Sequence, residues 1–262
     1  MSIQKLPIRI LASELASITK HNQYNDPQET LDKILSRNGL TDKFVPKTAL
    51  LKGLNECSKE NLSAIIKDLK LPEKSTIQEI EKTILNLETI KKGISEKNEE
   101  KSKDILLKSL DKISSMKVLK SSLENDIRMK RGNAREDNAM NKMEKKKNIT
   151  ISGRNDNLYS KPLFEDEKCI VTLVGKTDGV TEDKKMIVET KNRRNRLFGK
   201  IPAYEKVQLE AYMFLTDIKK CLHIENFNDE QREEEYKRNS KFWKECEDKV
   251  VSYYKKNIRK LI

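Results

Sequence analysis

The stretch CIVTLVGKTDGVTEDKKMIVETK, Cys169–Lys191, decides how this chain is to be read. Cys169 to Val174 and Met186 to Thr190 are short β-branched runs parted by turn residues, and with Asn148 to Ile151 ahead of them they read as three strands. Side chains alternate along a strand, so Glu189 and Lys191 point to one face while Val188 and Thr190 point to the other. A carboxylate and an ammonium are thereby set side by side. Asp178 precedes Gly179 in the turn between two of these strands. If the hairpin brings it opposite Glu189, two carboxylates and one lysine converge at the splayed end of a sheet.

Downstream, Pro202 begins a helix over Ala203 to Thr216, Lys220 to Ile224 forms a further strand, and a charged final helix starts at about Asp229. Strand, strand, strand, helix, strand is a mixed α/β core with helices covering its sheet. Upstream the character changes. Residues 45–158 contain no aromatic residue, while 12 of the 14 in the chain lie from Tyr159 onward, so the bulky packing groups belong to the C-terminal part. The middle is helical: Ile77, Ile80, Ile84, Leu87 and Ile90 recur at spacings of three and four, and Thr76 with Glu79 forms a capping box. A second stripe, from Leu106 through Leu110, Ile113, Met116, Leu119 and Leu123 to Ile127, predicts one long amphipathic helix ending near residue 130. Ile94 to Asp104, polar and rich in Lys, Glu and Ser, reads as a linker between them.

The chain has 262 residues, with 54 Lys and Arg against 42 Asp and Glu, a net of +12. Two windows carry the whole excess: residues 91–149 at +7 and residues 191–200 at +5. Such local basicity suits a polyanion better than it suits general solubility. No apolar run approaches the ~18 residues of a membrane span, and no secretory segment is evident, so an intracellular protein, cytoplasmic or nuclear, is expected. Cys57, Cys169, Cys221 and Cys246 form no C-x-x-C, which disfavours a zinc ribbon or a disulfide framework. With only His21 and His223, a metal would be held by carboxylates, which suits Mg²⁺ or Mn²⁺.

Asp178, Glu189 and a backbone carbonyl are hard oxygen donors of that kind, and Lys191 could orient or deprotonate an attacking water beside them. Glu-x-Lys alone is uninformative, since the chain has five other instances in polar, mostly helical settings. Only Glu189 and Lys191 end a buried-looking strand with an Asp-Gly turn eleven residues upstream of the Glu. An ordinary hairpin with a polar tip would look the same.

Four further features give the arrangement a resemblance. Ala12-Ser13-Glu14-Leu15-Ala16-Ser17-Ile18 is followed by Asn25-Asp26-Pro27. Arg131-Gly132-Asn133-Ala134-Arg135-Glu136 has Ala139 one turn on. Gly175-x-x-Asp178-Gly179 leads to Glu189-x-Lys191, and Val207-Gln208-Leu209-Glu210-Ala211-Tyr212-Met213 follows. In this order they resemble the PD-(D/E)xK nuclease superfamily, in the branch of lambda-type exonucleases and YqaJ-like viral recombinases. Residues 6–30 and about 127–250 are covered. Lys20-His21-Asn22 stands where a small-residue loop is common in the family, and the cysteine spacing of its iron–sulfur members is absent.

The resemblance implies a restriction-endonuclease-like mixed sheet core flanked by helices, with an all-helical insertion. Residues 1–44 would be the N-terminal helical part of that core, 45–126 the lysine-rich insertion and 127–262 the rest of the core. It implies Asp178, Glu189 and the Thr190 carbonyl as ligands of Mg²⁺ or Mn²⁺, with Lys191 activating or positioning water. Glu136 would support the metal, and Gln208 would orient the lysine or the phosphate. Arg193, Arg194, Arg196 and Lys200, with Arg128 and Arg131 ahead of Glu136 and Ser13 in the N-terminal signature, are the expected nucleic-acid contacts. Leu62 to Leu87 resembles a SAP-type DNA-binding helical hairpin. The expected activity is metal-dependent exonucleolytic hydrolysis of DNA in recombination, repair or replication of viral or phage-like DNA. Further expected partners are a second copy of the chain or a single-strand annealing or replication protein. A non-catalytic DNA-binding scaffold and a restriction-type endonuclease remain open.

Overall fold

The structure, a computed structural model, describes residues 5–96 and 98–262. These divide into two compact units, one of the residues up to Val45 with Ala139–Ile262, the other Pro46–Asn138.

The first unit opens with strand β1 (Leu6–Leu11), a 3₁₀ turn over Ala12–Glu14, and helices α1 (Leu15–Ile18) and α2 (Pro27–Arg37). Asp26 caps α2 by accepting from the Gln28 N–H at 2.8 Å, and Pro27 fills the first helical position, where no donor is needed. The N-terminal segment expected to be helical therefore starts with a strand. Its alternation of Ile8 and Ile10, both fully buried, with Pro7 and Arg9 is the reason.

The second unit is all helical: α3 (Ala49–Glu56), α4 (Lys59–Asp68), α5 (Ile77–Asn86), α6 (Glu88–Ser95), α7 (Glu99–Lys112), a 3₁₀ turn over Ser114–Leu119, and the start of α8 (Lys120–Lys147). Thr48, Ser58, Thr76 and Asn98 cap four of these helices through their side chains. Leu50, Leu54, Ile65, Ile80, Ile84, Leu106 and Leu123 fill its own core. Two expectations are corrected here. The stripe from Leu106 to Ile127 is not one helix, because the weak helix formers Ser114 and Ser115 follow a break at Ile113. The linker is also shorter than Ile94 to Asp104, since α6 reaches Ser95 and Asn98 caps α7.

Helix α8 continues to Lys147, and the division between units falls inside it rather than ahead of residue 127. Side chains from its first half tie it to the helical unit. Asp126 accepts from the Ala49 and Leu50 amides at the start of α3, at 2.9 and 3.1 Å, and Arg131 pairs with Glu99 at 3.2 Å.

After α8 come β2 (Ile151–Ser152), β3 (Leu158–Glu165), β4 (Cys169–Lys176), β5 (Gly179–Thr181), β6 (Ile187–Asn192), α9 (Ala203–Thr216), β7 (Lys220–Phe227), β8 (Glu230–Lys237) and α10 (Ser240–Asn257). One sheet has the order β1-β4-β3, with β1 parallel and β3 antiparallel to β4. The other runs β2-β5-β6-β7-β8. There β6 and β7 are parallel, joined through the α9 crossover, and the remaining pairs are antiparallel. Val188, Leu222 and Ile224 pack on one face of this sheet with Met140, Met143 and Ile151. Ile187 and Cys221 face the core built with α9, α10 and β1.

The charged final helix expected from Asp229 instead begins at Ser240, with β8 before it. Asn228, at φ 50°, turns the chain between β7 and β8, and the apolar alternation that marks a strand is missing because β8 is a charged edge. The mixed α/β architecture with flanking helices is as the strand–helix order implied.

Candidate active site

Two glycines let the site close. A Cβ on Gly175 would stand 2.7 Å from a Leu215 methyl and 3.0 Å from Tyr212 and Ala12, so α9 and the turn after β1 can approach β4 only over a bare backbone. A Cβ on Gly179 would meet Ile151 at 2.5 Å. Between them, Thr177 and Asp178 link β4 to β5 at the level where β6 runs on beyond β5. The Asp178 carboxylate accepts from the Thr190 N–H at 2.7 Å, which fixes it against β6. The N–H and C=O of one residue in a strand face the same neighbour, so the Thr190 carbonyl shares the edge that Asp178 occupies.

Glu189 and Lys191 lie on the face of β6 that α9 covers. Lys191 Nζ donates to Glu189 Oε1 at 2.6 Å and to Gln208 Oε1 at 3.0 Å, and Gln208 Nε2 donates to the Tyr212 hydroxyl at 2.8 Å. Glu189 is 2% exposed, and its second oxygen is buried with no hydrogen-bond partner. Burial and the charge of Asp178 push the Glu189 carboxyl up to about 7, against the pull of Lys191. For Lys191 burial acts downward, but Glu189 outweighs it and holds the ammonium above its ordinary range.

The Glu189 oxygen without a partner, beside Asp178 and the Thr190 carbonyl, makes a donor set of hard oxygens that fits Mg²⁺ or Mn²⁺. Among the described residues no cluster of three or more His, Cys, Asp or Glu is placed to hold a metal, so protein ligation beyond two carboxylates would fall to backbone.

Sequence reasoning missed a buried ionic layer next to this pair. In the β6–β7 register Glu189 lies beside His223 and Lys191 beside Glu225. His223 and Glu225 are fully buried. Arg193, its side chain 8% exposed, donates Nη1 and Nη2 to Glu205 at 2.5 and 2.8 Å and Nε to Glu225 at 2.6 Å. His223 Nε2 lies 2.9 Å from Glu205. Burial alone would raise the Glu205 carboxyl, but hydrogen bonds from Arg193 and His223 hold it down at about 2. Polar residues alternating with Leu222 and Ile224 on an apolar strand were the available signal.

Arg193, expected as a phosphate contact, is engaged by two buried carboxylates, Glu205 and Glu225. Arg194, Arg196 and Lys200 are exposed. Arg131, also expected at the nucleic acid, is 3% exposed and paired with Glu99 inside the helical unit. Arg128 is exposed on α8 and Glu136 half-buried on it, both in the part of α8 that belongs to the helical unit. Ser13 is exposed in the turn after β1. Its neighbour Glu14 is buried and structural, accepting from the Leu11 N–H at 2.9 Å and pairing with Arg37.

No family model matches the chain, and no curated protein does. Solved structures similar to it include an alkaline exonuclease from Laribacter hongkongensis, 13% identical over 66% of this chain and 87% of that one, with a TM-score of 0.45. A structure of LHK-Exo in complex with dAMP gives 12% identity, 81% and 92% coverage and a TM-score of 0.43. A phage-related exonuclease from Haemophilus somnus gives 16% identity, 50% and 71% coverage and a TM-score of 0.36.

Proposed function

We propose that this chain is a Mg²⁺-dependent deoxyribonuclease of the PD-(D/E)xK superfamily, an exonuclease of the lambda and YqaJ type acting in recombination, repair or replication of viral or phage-like DNA. The observation that carries this reading is the convergence of Asp178, Glu189, Lys191 and Gln208 around a buried carboxylate oxygen that lacks a partner. Asp178, Glu189 and the Thr190 carbonyl would hold the ion, which when bound supplies Lewis-acid polarisation of the phosphodiester. Lys191 is held between Glu189 and Gln208 as a cation, because its pKa is raised. There it would donate to a water or to a phosphate oxygen and meet the developing negative charge. Gln208, locked by Tyr212, keeps the ammonium aimed. The exposed Arg194, Arg196 and Lys200 extend the positive field to neighbouring phosphates without base recognition.

Lys191→Ala and Asp178→Asn should each lower cleavage of end-labelled linear DNA in Mg²⁺ by at least about 100-fold while the fold persists. Undiminished cleavage in both variants would remove the assignment. Products from 5′- and 3′-labelled duplex, set against covalently closed circles, separate exonucleolytic from endonucleolytic action.

A further inference from the structure

Residues 194–200 cross from the end of β6 toward α9, a connection that carries Arg194, Arg196 and Lys200 and no acid. All three cations are exposed, and none is ion-paired among the described residues. A polar connection of this kind is ordinarily mobile, yet this one is tied down at three points. At its root the Arg193 N–H donates to the Asn226 carbonyl at 2.7 Å, adding a rung to the β6–β7 ladder. In its middle the Phe198 N–H donates to Glu225 Oε2 at 3.2 Å, and the Phe198 ring lies over the Arg193 guanidinium with 4.0 Å to its centroid. At its far end Ile201, 2% exposed, enters the core that α9 shares.

The guanidinium joins these ties. It bridges Glu205 of α9 and Glu225 of β7 while capping Phe198 of the strap itself. Glu225 is the register neighbour of Lys191, so the strap is fastened to the same strand pair that carries the candidate catalytic lysine. Buried ion pairs of this type are weak contributors to net stability, and their best-attested use is to fix one geometry. The planar fork grips Glu205 with Nη1 and Nη2 while Nε reaches Glu225, a bidentate geometry that an ammonium does not reproduce.

We propose that Arg193 is a positioning residue that locks residues 194–200 into a rigid polyanion-binding strap beside Lys191. Arg194, Arg196 and Lys200 then meet phosphates already ordered, and the ordering cost is removed from the binding step. The inference rests on the reading of the site as one that takes DNA.

Trypsin tests the lock directly, because the strap holds three of its cleavage positions. Arg193→Lys keeps the charge and loses the fork, while Phe198→Ala removes an exposed ring, 44% exposed, and leaves the buried ions alone. The second variant serves if the first fails to fold. Each folded variant should be cut within residues 194–200 at least about tenfold faster than the native chain. Affinity for a fluorescein-labelled duplex in EDTA should fall about tenfold with the salt slope unchanged, since no phosphate contact is deleted. A strap that stays as resistant as the native one in both variants overturns the proposal. So does a strap that loosens without loss of affinity. Failure of the native chain to bind any DNA would instead overturn the reading of the site, and the trypsin rates would still report on the lock.

Discussion

Arg193 and Lys191 are two residues apart on one strand, and their settings are opposite. Lys191 remains about a quarter exposed at the mouth of the site, whereas Arg193 is closed in by Glu205 and Glu225. Nothing in the local run distinguishes them, since Glu225 lies thirty-two residues away and arrives only when β7 pairs with β6. Strand alternation alone sets Glu189 and Lys191 on one face, whereas Asp178 enters through its Asp-Gly turn and Gln208 only through the family resemblance. Glu205 gives a residue-scale prediction. Its folded pKa of about 2 lies below the 4.5 of the free group, so its stabilisation is fully present above about pH 4.5 and is lost as pH falls toward 2. Glu205→Gln should therefore flatten the acid limb of a denaturation series over that window, by a difference on the order of 3 kcal/mol between its ends. A variant with an unchanged limb would mean that Arg193 and His223 do not hold the carboxylate charged.

At the scale of elements, helix α9 depends on a strand that has no side chain to offer at one point. Gly175→Ala would drive a methyl into Tyr212 and Leu215, one and two turns beyond Gln208. The expected cost is about 1–3 kcal/mol of stability, with a weakened Lys191–Gln208 contact. A denaturant midpoint paired with the cleavage rate checks both. A variant as stable and active as the native chain would show that α9 shifts freely. Strands β1 and β8 are hidden from sequence reasoning for different reasons. β8 carries no apolar period because it lies at an edge, and β1 is six residues ahead of a helix-rich segment. The rise from period two to period four is too short there to be read. The break at Ile113 was equally hidden, since the apolar spacing runs through it unchanged.

For the whole molecule, charge is the property that was readable first and understood last. Of the five cations in the 191–200 window, Arg193, Arg194, Arg196 and Lys200 are the expected phosphate contacts. The fold withdraws Lys191 and Arg193 into ion pairs and leaves three cations outward. Changing Arg194, Arg196 and Lys200 together to Ala should reduce the slope of log affinity against log salt by roughly 2–3, because each phosphate contact contributes about 0.9. An unchanged slope would place the DNA path elsewhere. The +7 window divides between two units, with Arg131 consumed by Glu99 in one and Lys146 and Lys147 paired to Glu233 in the other.

The acidic edge strand β8 has a bearing on self-association. Its outer row of amides and carbonyls is open to any extended chain, the usual route by which sheets grow from one molecule into the next. Glu233, Glu234 and Glu235 form an unbroken acidic run along that strand, the kind of edge charge that discourages pairing with another chain.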